Sequence, residues 1–113
     1  MPMLSGKQVY ETAIGQQRTV TLADGSAVQL NTHTRLQVQL SGKLRELHLL
    51  EGEALFTVAH DTTRPFEVHV GEAVVRAVGT QFNIRRDVRD TTVSVLEGAV
   101  HVSAITSGGD QPL

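Results

Sequence analysis

Arg64-Pro65-Phe66-Glu67-Val68-His69-Val70-Gly71-Glu72-Ala73-Val74-Val75-Arg76-Ala77-Val78-Gly79-Thr80-Gln81-Phe82-Asn83-Ile84 is the densest β-branched run in the chain. Phe66, Val68 and Val70 alternate with Glu67 and His69, the period of two that marks a strand with one buried face. Past Gly71 the apolar residues are almost continuous, as in a strand covered on both faces. Gly79-Thr80 breaks the run before Phe82 and Ile84 resume it. A glycine inside a strand pattern signals a bulge, a bend or a close backbone approach.

The same punctuation recurs outside this stretch. Around Gly25, Gly52, Gly71 and Gly98 the residues five and three positions earlier are all apolar: Val20/Leu22, Leu47/Leu49, Phe66/Val68 and Val93/Val95. Two and four positions after the last three glycines come Ala54/Phe56, Ala73/Val75 and Val100/Val102. This parity fits two-residue hairpin loops at Glu51-Gly52 and Glu97-Gly98, with Leu49 facing Ala54 and Val95 facing Val100. A β-arc that changes sheets satisfies the same parity. At Asp24-Gly25-Ser26 a three-residue loop pairs Leu22 with Val28 and requires a positive φ at Gly25. Leu36, Val38 and Leu40 add another alternating strand, and residues 9–14 an edge strand. The core then includes Phe66, Val68, Val95 and Val100, with His48, Glu67, His69 and His101 outside.

No segment holds helical spacing, and the glycine intervals are too uneven for a strict solenoid. The fold class is all-β: an antiparallel two-sheet sandwich, jelly-roll-like or with an irregular solenoid-like winding. One domain spans residues 10–104, between a flexible lead at 1–9 and a C-terminal linker at 105–113.

Composition narrows the function. The 113 residues carry a net charge of -2 and only 4% aromatics, which gives neither the basic footprint nor the stacking platform of a nucleic-acid binder. No apolar run reaches membrane-spanning length. There is no secretory leader, so the start reads as a cut from a longer chain. Without cysteine, disulfides and thiolate sites are excluded. The five histidines show no close ligand spacing such as H-x₃-H, and His48, His69 and His101 read as solvated strand positions rather than metal ligands. No nucleophile elbow is present, and Glu51, Glu53 and Glu97 lie at or beside turns, so no enzyme or cofactor is expected. Arg85, Arg86 and Arg89 interleave with Asp87 and Asp90 as a solvated loop. Asp61 and Arg64 bracket another loop and are placed to pair at its neck.

Five ordered segments resemble the FecR-type anti-sigma regulators. Thr21-Leu22-Ala23-Asp24-Gly25-Ser26-Ala27-Val28-Gln29-Leu30-Asn31 is similar to the family's L-x-D-G-S-x-V-x-L-N signature. Leu49 to Val58 resembles L-x-x-G-E-A-x-F-x-V, and Arg64 to Val68 resembles R-P-F-x-V. Gly79-Thr80-Gln81-Phe82-Asn83-Ile84 is similar to G-T-x-F-N-V, and Val95 to Val102 to V-x-E-G-x-V-x-V. The resemblance implies a periplasmic, signal-transducing portion of a single-pass inner-membrane protein. Such a protein controls an extracytoplasmic-function sigma factor and answers a TonB-dependent outer-membrane receptor in iron or siderophore uptake. The immediate partner would be the remainder of the same regulator; sigma factor and receptor would be reached indirectly, without membrane contact by this portion. The resemblance also makes Gly79 and Thr80 a candidate self-cleavage pair, against a reading of Gly79 as a structural bulge. A β-sandwich module for carbohydrate or another polymer is the alternative, although Tyr10, Phe56, Phe66 and Phe82 are nearly all claimed by strand faces.

Overall fold

The computed structural model describes residues 7–104; the linker expected at 105–113 and residues 1–6 of the lead expected at 1–9 lie outside the described residues. Ten strands and no helix form the described chain. In order they are β1 (Gln8–Glu11), β2 (Arg18–Thr21), β3 (Ala27–Leu30), β4 (Arg35–Leu40), β5 (Arg45–Thr57), β6 (Phe66–Val70), β7 (Ala73–Ala77), β8 (Gln81–Arg86), β9 (Thr91–Glu97) and β10 (His101–Ala104). One layer runs β1-β4-β5-β6-β7-β10, and the other runs β2-β3-β5-β8-β9. The all-β expectation holds, and the sheets do not close on themselves.

β5 belongs to both layers. Its first half pairs with β4 and β6, and its second half with β3 and β8. The buried phase shifts within it: Arg45, Leu47 and Leu49 point inward, then Ala54 and Phe56. That one-residue slip falls at Glu51-Gly52, where Gly52 has φ +92°. A Cβ on Gly52 would lie 2.7 Å from the His33 carbonyl oxygen, so the bend needs both the left-handed backbone and the missing side chain. Glu51-Gly52 is therefore no hairpin loop. Glu97-Gly98 is not one either, because β9 pairs with β8 in one layer and β10 with β7 in the other. Both glycines mark crossings between layers, the arc that the parity also allowed. Gly71-Glu72 does close a two-residue hairpin, with Val70 opposite Ala73.

Among the described residues all pairings are antiparallel except β5 with β6. The chain leaves the first layer through the bend in β5, crosses over, and returns along the 58–65 loop in its original direction. At the β2–β3 turn the Leu22 N–H donates to the Ser26 carbonyl at 2.7 Å, and Val28 lies opposite Val20. The expected Leu22–Val28 pairing is corrected by two residues. The loop is Ala23-Asp24-Gly25, and Gly25 has the expected positive φ, +93°.

The core lies between the layers. Phe56 stacks on Phe82 at 5.2 Å and meets Phe66 edge-on at 6.2 Å. Phe66 and Val68 are buried as expected, but Val95 is 45% exposed. Val95 lies opposite buried Phe82, so its inward phase is right. It is exposed because β9 is an edge strand. β9 and β10 edge their layers on the same side of the sandwich, and Val95 and Val102 face that open side.

Candidate functional site

The molecule's best-organised polar group is Arg45, which occupies an inward position of β5 and is completely buried. Its Nη1 donates to Asp24 Oδ2 at 2.9 Å and to the Ala59 carbonyl at 2.7 Å. Nη2 donates to the Asp61 carbonyl at 3.2 Å and Nε to the Arg64 carbonyl at 2.9 Å. The guanidinium lies 5.3 Å from the centre of the Phe66 ring. The Asp24 side chain is 1% exposed and also accepts from the Ser26 N–H and hydroxyl. Burial pushes the Asp24 carboxyl up, but the hydrogen bonds from Arg45 and Ser26 together outweigh it and hold the group below its ordinary value. A buried charge is tolerated only when paired and hydrogen-bonded in this way. Ser26 Oγ in turn accepts the Ala59 N–H at 2.9 Å. Arg45 and the β2–β3 turn thus fasten the 58–65 loop. The expected neck pair is present, with Arg64 Nε 3.0 Å from Asp61 Oδ2. Hydrogen bonds from Thr63 and Arg64 hold the Asp61 carboxyl far below its ordinary value.

This loop carries His60 onto the β7–β8 connection. A Cβ on Gly79 would lie 2.7 Å from His60 Nδ1 and 3.2 Å from His60 Cα. Gly79 is thus no bulge inside a strand; it sits in the bend that carries the chain between layers, and it admits the His60 backbone. The flanks are pinned, since the Asp61 N–H donates to the Val78 carbonyl at 3.2 Å and the Val58 N–H to the Thr80 carbonyl at 2.9 Å. A Cβ on Gly98 would lie 2.6 Å from Thr80 Cγ2, so the second crossing also closes over Thr80. The Thr80 hydroxyl is shielded from solvent and has no hydrogen-bond partner among the described residues. Such groups are rare in folded proteins and mark strain, function or an unseen ligand. That hydroxyl belongs to the residue that directly follows the Gly79 carbonyl in the chain.

The remaining sequence candidates lie elsewhere. His48 and His69 stand on the outer face of the first layer, and His101 is exposed on β10. Glu53 is not simply solvated, because it accepts from Asn31 Nδ2 at 3.1 Å and Asn83 Nδ2 at 2.8 Å. Gln17, Gln29 and Leu55 join these residues around a shallow groove of about 220 Å³ that has no aromatic lining. Arg86 does not float in its loop: its Nη1 donates to the Leu49 and Leu50 carbonyls at 3.1 Å and braces the β5 bend. Arg45 carried no sequence signal beyond its inward phase, and His60 none at all.

Residues 8–101 match the FecR protein family. Two crystal structures of a "putative anti-sigma factor" from Parabacteroides distasonis ATCC 8503 superpose on the chain. The first gives a TM-score of 0.81 at 32% identity, covering 87% of this chain and 47% of that one. The second gives 0.80 at 33% identity, covering 86% and 47%. The chain thus spans about half the length of these solved relatives. Among curated proteins no relative matches. The family match over most of the chain, carried on the same fold as the solved relatives, shows that this protein belongs to the FecR family, a regulatory and non-enzymatic family of anti-sigma factors.

Proposed function

We propose that this domain is the periplasmic signal-transducing part of a single-pass inner-membrane anti-sigma regulator. Its sigma factor is of the extracytoplasmic-function class, and its signal comes from a TonB-dependent receptor serving iron or siderophore uptake. The observation that carries the reading is the open side of the sandwich. Val95 and Val102 are large apolar residues left 45% and 50% exposed on the β9 and β10 edges. The solved relatives extend over about twice this length. An apolar edge of this kind fits a neighbouring part of the same regulator, which covers it and senses its geometry. The domain then transmits a signal without touching the sigma factor itself. The test is affinity capture of the full-length regulator from membranes. The sigma factor should co-purify with it and not with residues 8–104 alone. Capture by the isolated domain, or no sigma factor on the full-length protein, would overturn the assignment.

A second reading concerns the chain itself and rests on the orphan Thr80 hydroxyl. Thr80 Oγ1 attacks the Gly79 carbonyl carbon, the peptide C–N bond breaks, and the nitrogen takes the proton as a free amine. Water then hydrolyses the ester to leave a Gly79 carboxylate and the restored hydroxyl. Attack within adjacent residues gains from proximity. His60, packed on Gly79, is the candidate to relay the proton. Both products keep their strand pairings in β7 and β8, so the pieces stay associated. Intact-mass spectrometry of the full-length protein should give two fragments meeting at Gly79/Thr80, abolished by Thr80→Ala and kept by Thr80→Ser. A single mass after prolonged neutral incubation would dismiss the reaction.

A further inference from the structure

Glu46-Leu47-His48 and Glu67-Val68-His69 are the same tripeptide pattern, Glu-apolar-His, on β5 and β6. These two strands form the one parallel pairing among the described residues, in register Glu46 with Glu67 and His48 with His69. Parallel alignment puts like beside like. Two carboxylates and two imidazoles therefore form a square on the outer face of the first layer. The buried residues Leu47 and Val68 fix the register from beneath. The imidazole rings stack with centroids 4.7 Å apart and planes within 18°. His48 Nε2 lies 2.7 Å from Glu46 Oε2, and His69 Nε2 lies 3.7 Å from Glu67 Oε1. One ligand atom from each of Glu46, His48 and His69 lies within 4.8 Å of the others.

We propose that Glu46, His48 and His69 form a divalent transition-metal site, with zinc as its natural probe. Ligand atoms of a tetrahedral zinc ion stand about 3.3 Å apart, from metal–ligand lengths near 2.0–2.1 Å. Closing to that spacing requires His48 and His69 to turn out of their parallel stack so that both lone pairs converge on the ion, and both imidazoles are part-exposed on the side where they would turn. The metal replaces the proton shared between His48 and Glu46. Imidazole with carboxylate suits zinc, nickel or copper, not calcium or magnesium. Glu67 is engaged by Arg76, whose Nε donates to it at 3.0 Å, and so serves as an outer partner beside His69. The fourth position is left to water, and the ion cross-links β5 to β6 at the layer's centre.

The test is calorimetric titration of the tag-free 113-residue chain with zinc chloride in a non-chelating buffer. One ion per chain is expected. His48→Gln and His69→Gln should each weaken binding at least about tenfold, given that even outer-shell losses cost ten- to a hundredfold. His101→Gln, on the same face but outside the square, should bind as the parent does. Circular dichroism confirms that the variants fold. No saturable binding up to ~1 mM, or retention of parental affinity in both His48→Gln and His69→Gln, would overturn the site. Equal weakening in His101→Gln would do the same, by showing adventitious surface binding.

Discussion

Arg45→Met removes the guanidinium while keeping much of the aliphatic stem against Phe66. It leaves Asp24 buried without its cation and takes donors from the Ala59, Asp61 and Arg64 carbonyls. Breaking a buried pair from one side costs about 3–5 kcal/mol. A domain of this size holds only about 5–15 kcal/mol in all. At roughly 4–8 °C per kcal/mol, the midpoint of thermal unfolding should fall by about 12–40 °C. Urea unfolding at neutral pH, followed by circular dichroism, gives the free energy directly. Asp24→Asn alone, and the Asp24→Asn/Arg45→Met double variant, complete a cycle. The double should be less destabilised than the sum by about 1–3 kcal/mol, since the groups share one network. A loss below ~1 kcal/mol for Arg45→Met, or strict additivity, would refute the claim that this pair anchors the loop beneath Gly79.

Acid should weaken the fold. Asp24 and Asp61 are both held below their ordinary values in the folded protein, so what they contribute is present above the unfolded value near 3.8 and is lost as pH falls through the folded values. Thermal midpoints measured downward from pH 6 should drop mainly below about pH 4, less steeply in Asp24→Asn; a midpoint that is flat or rises contradicts this. Gly52→Ala meets both the left-handed penalty and the His33 and Thr34 backbone, and should cost about 2–5 kcal/mol by urea unfolding, whereas Gly42→Ala, open on all sides, should be near neutral. Phe56→Ala empties the centre of the aromatic cluster and should cost about 3–5 kcal/mol, against less than about 1 kcal/mol for Val95→Ala on the open edge.

What could be read from the sequence is what period-two alternation controls. The inward phase of Phe66, Val68, Phe82 and even exposed Val95 is local, and it came out as expected. Which layer a strand joins is not local. Around Gly52 and Gly98 a hairpin and a crossing leave the same apolar pattern, and only packing against Thr34 and Thr80 distinguishes them. Exposure of Val95 depends on what lies across the open edge, which no residue near it encodes. The Arg45 knot was hidden because its partners are chiefly carbonyls, which every residue carries. The Glu-apolar-His repeat was visible as letters, but it becomes a cluster only when β5 and β6 run parallel.

If this domain carries signal within a sigma-factor regulator, its removal should be read out in transcription. The measurement is sigma-dependent reporter output in cells whose full-length regulator lacks residues 8–104 in frame, with and without the inducing signal. The truncated protein should remain in the membrane while induced and uninduced outputs converge. Outputs that stay separated as in the parent strain would contradict it.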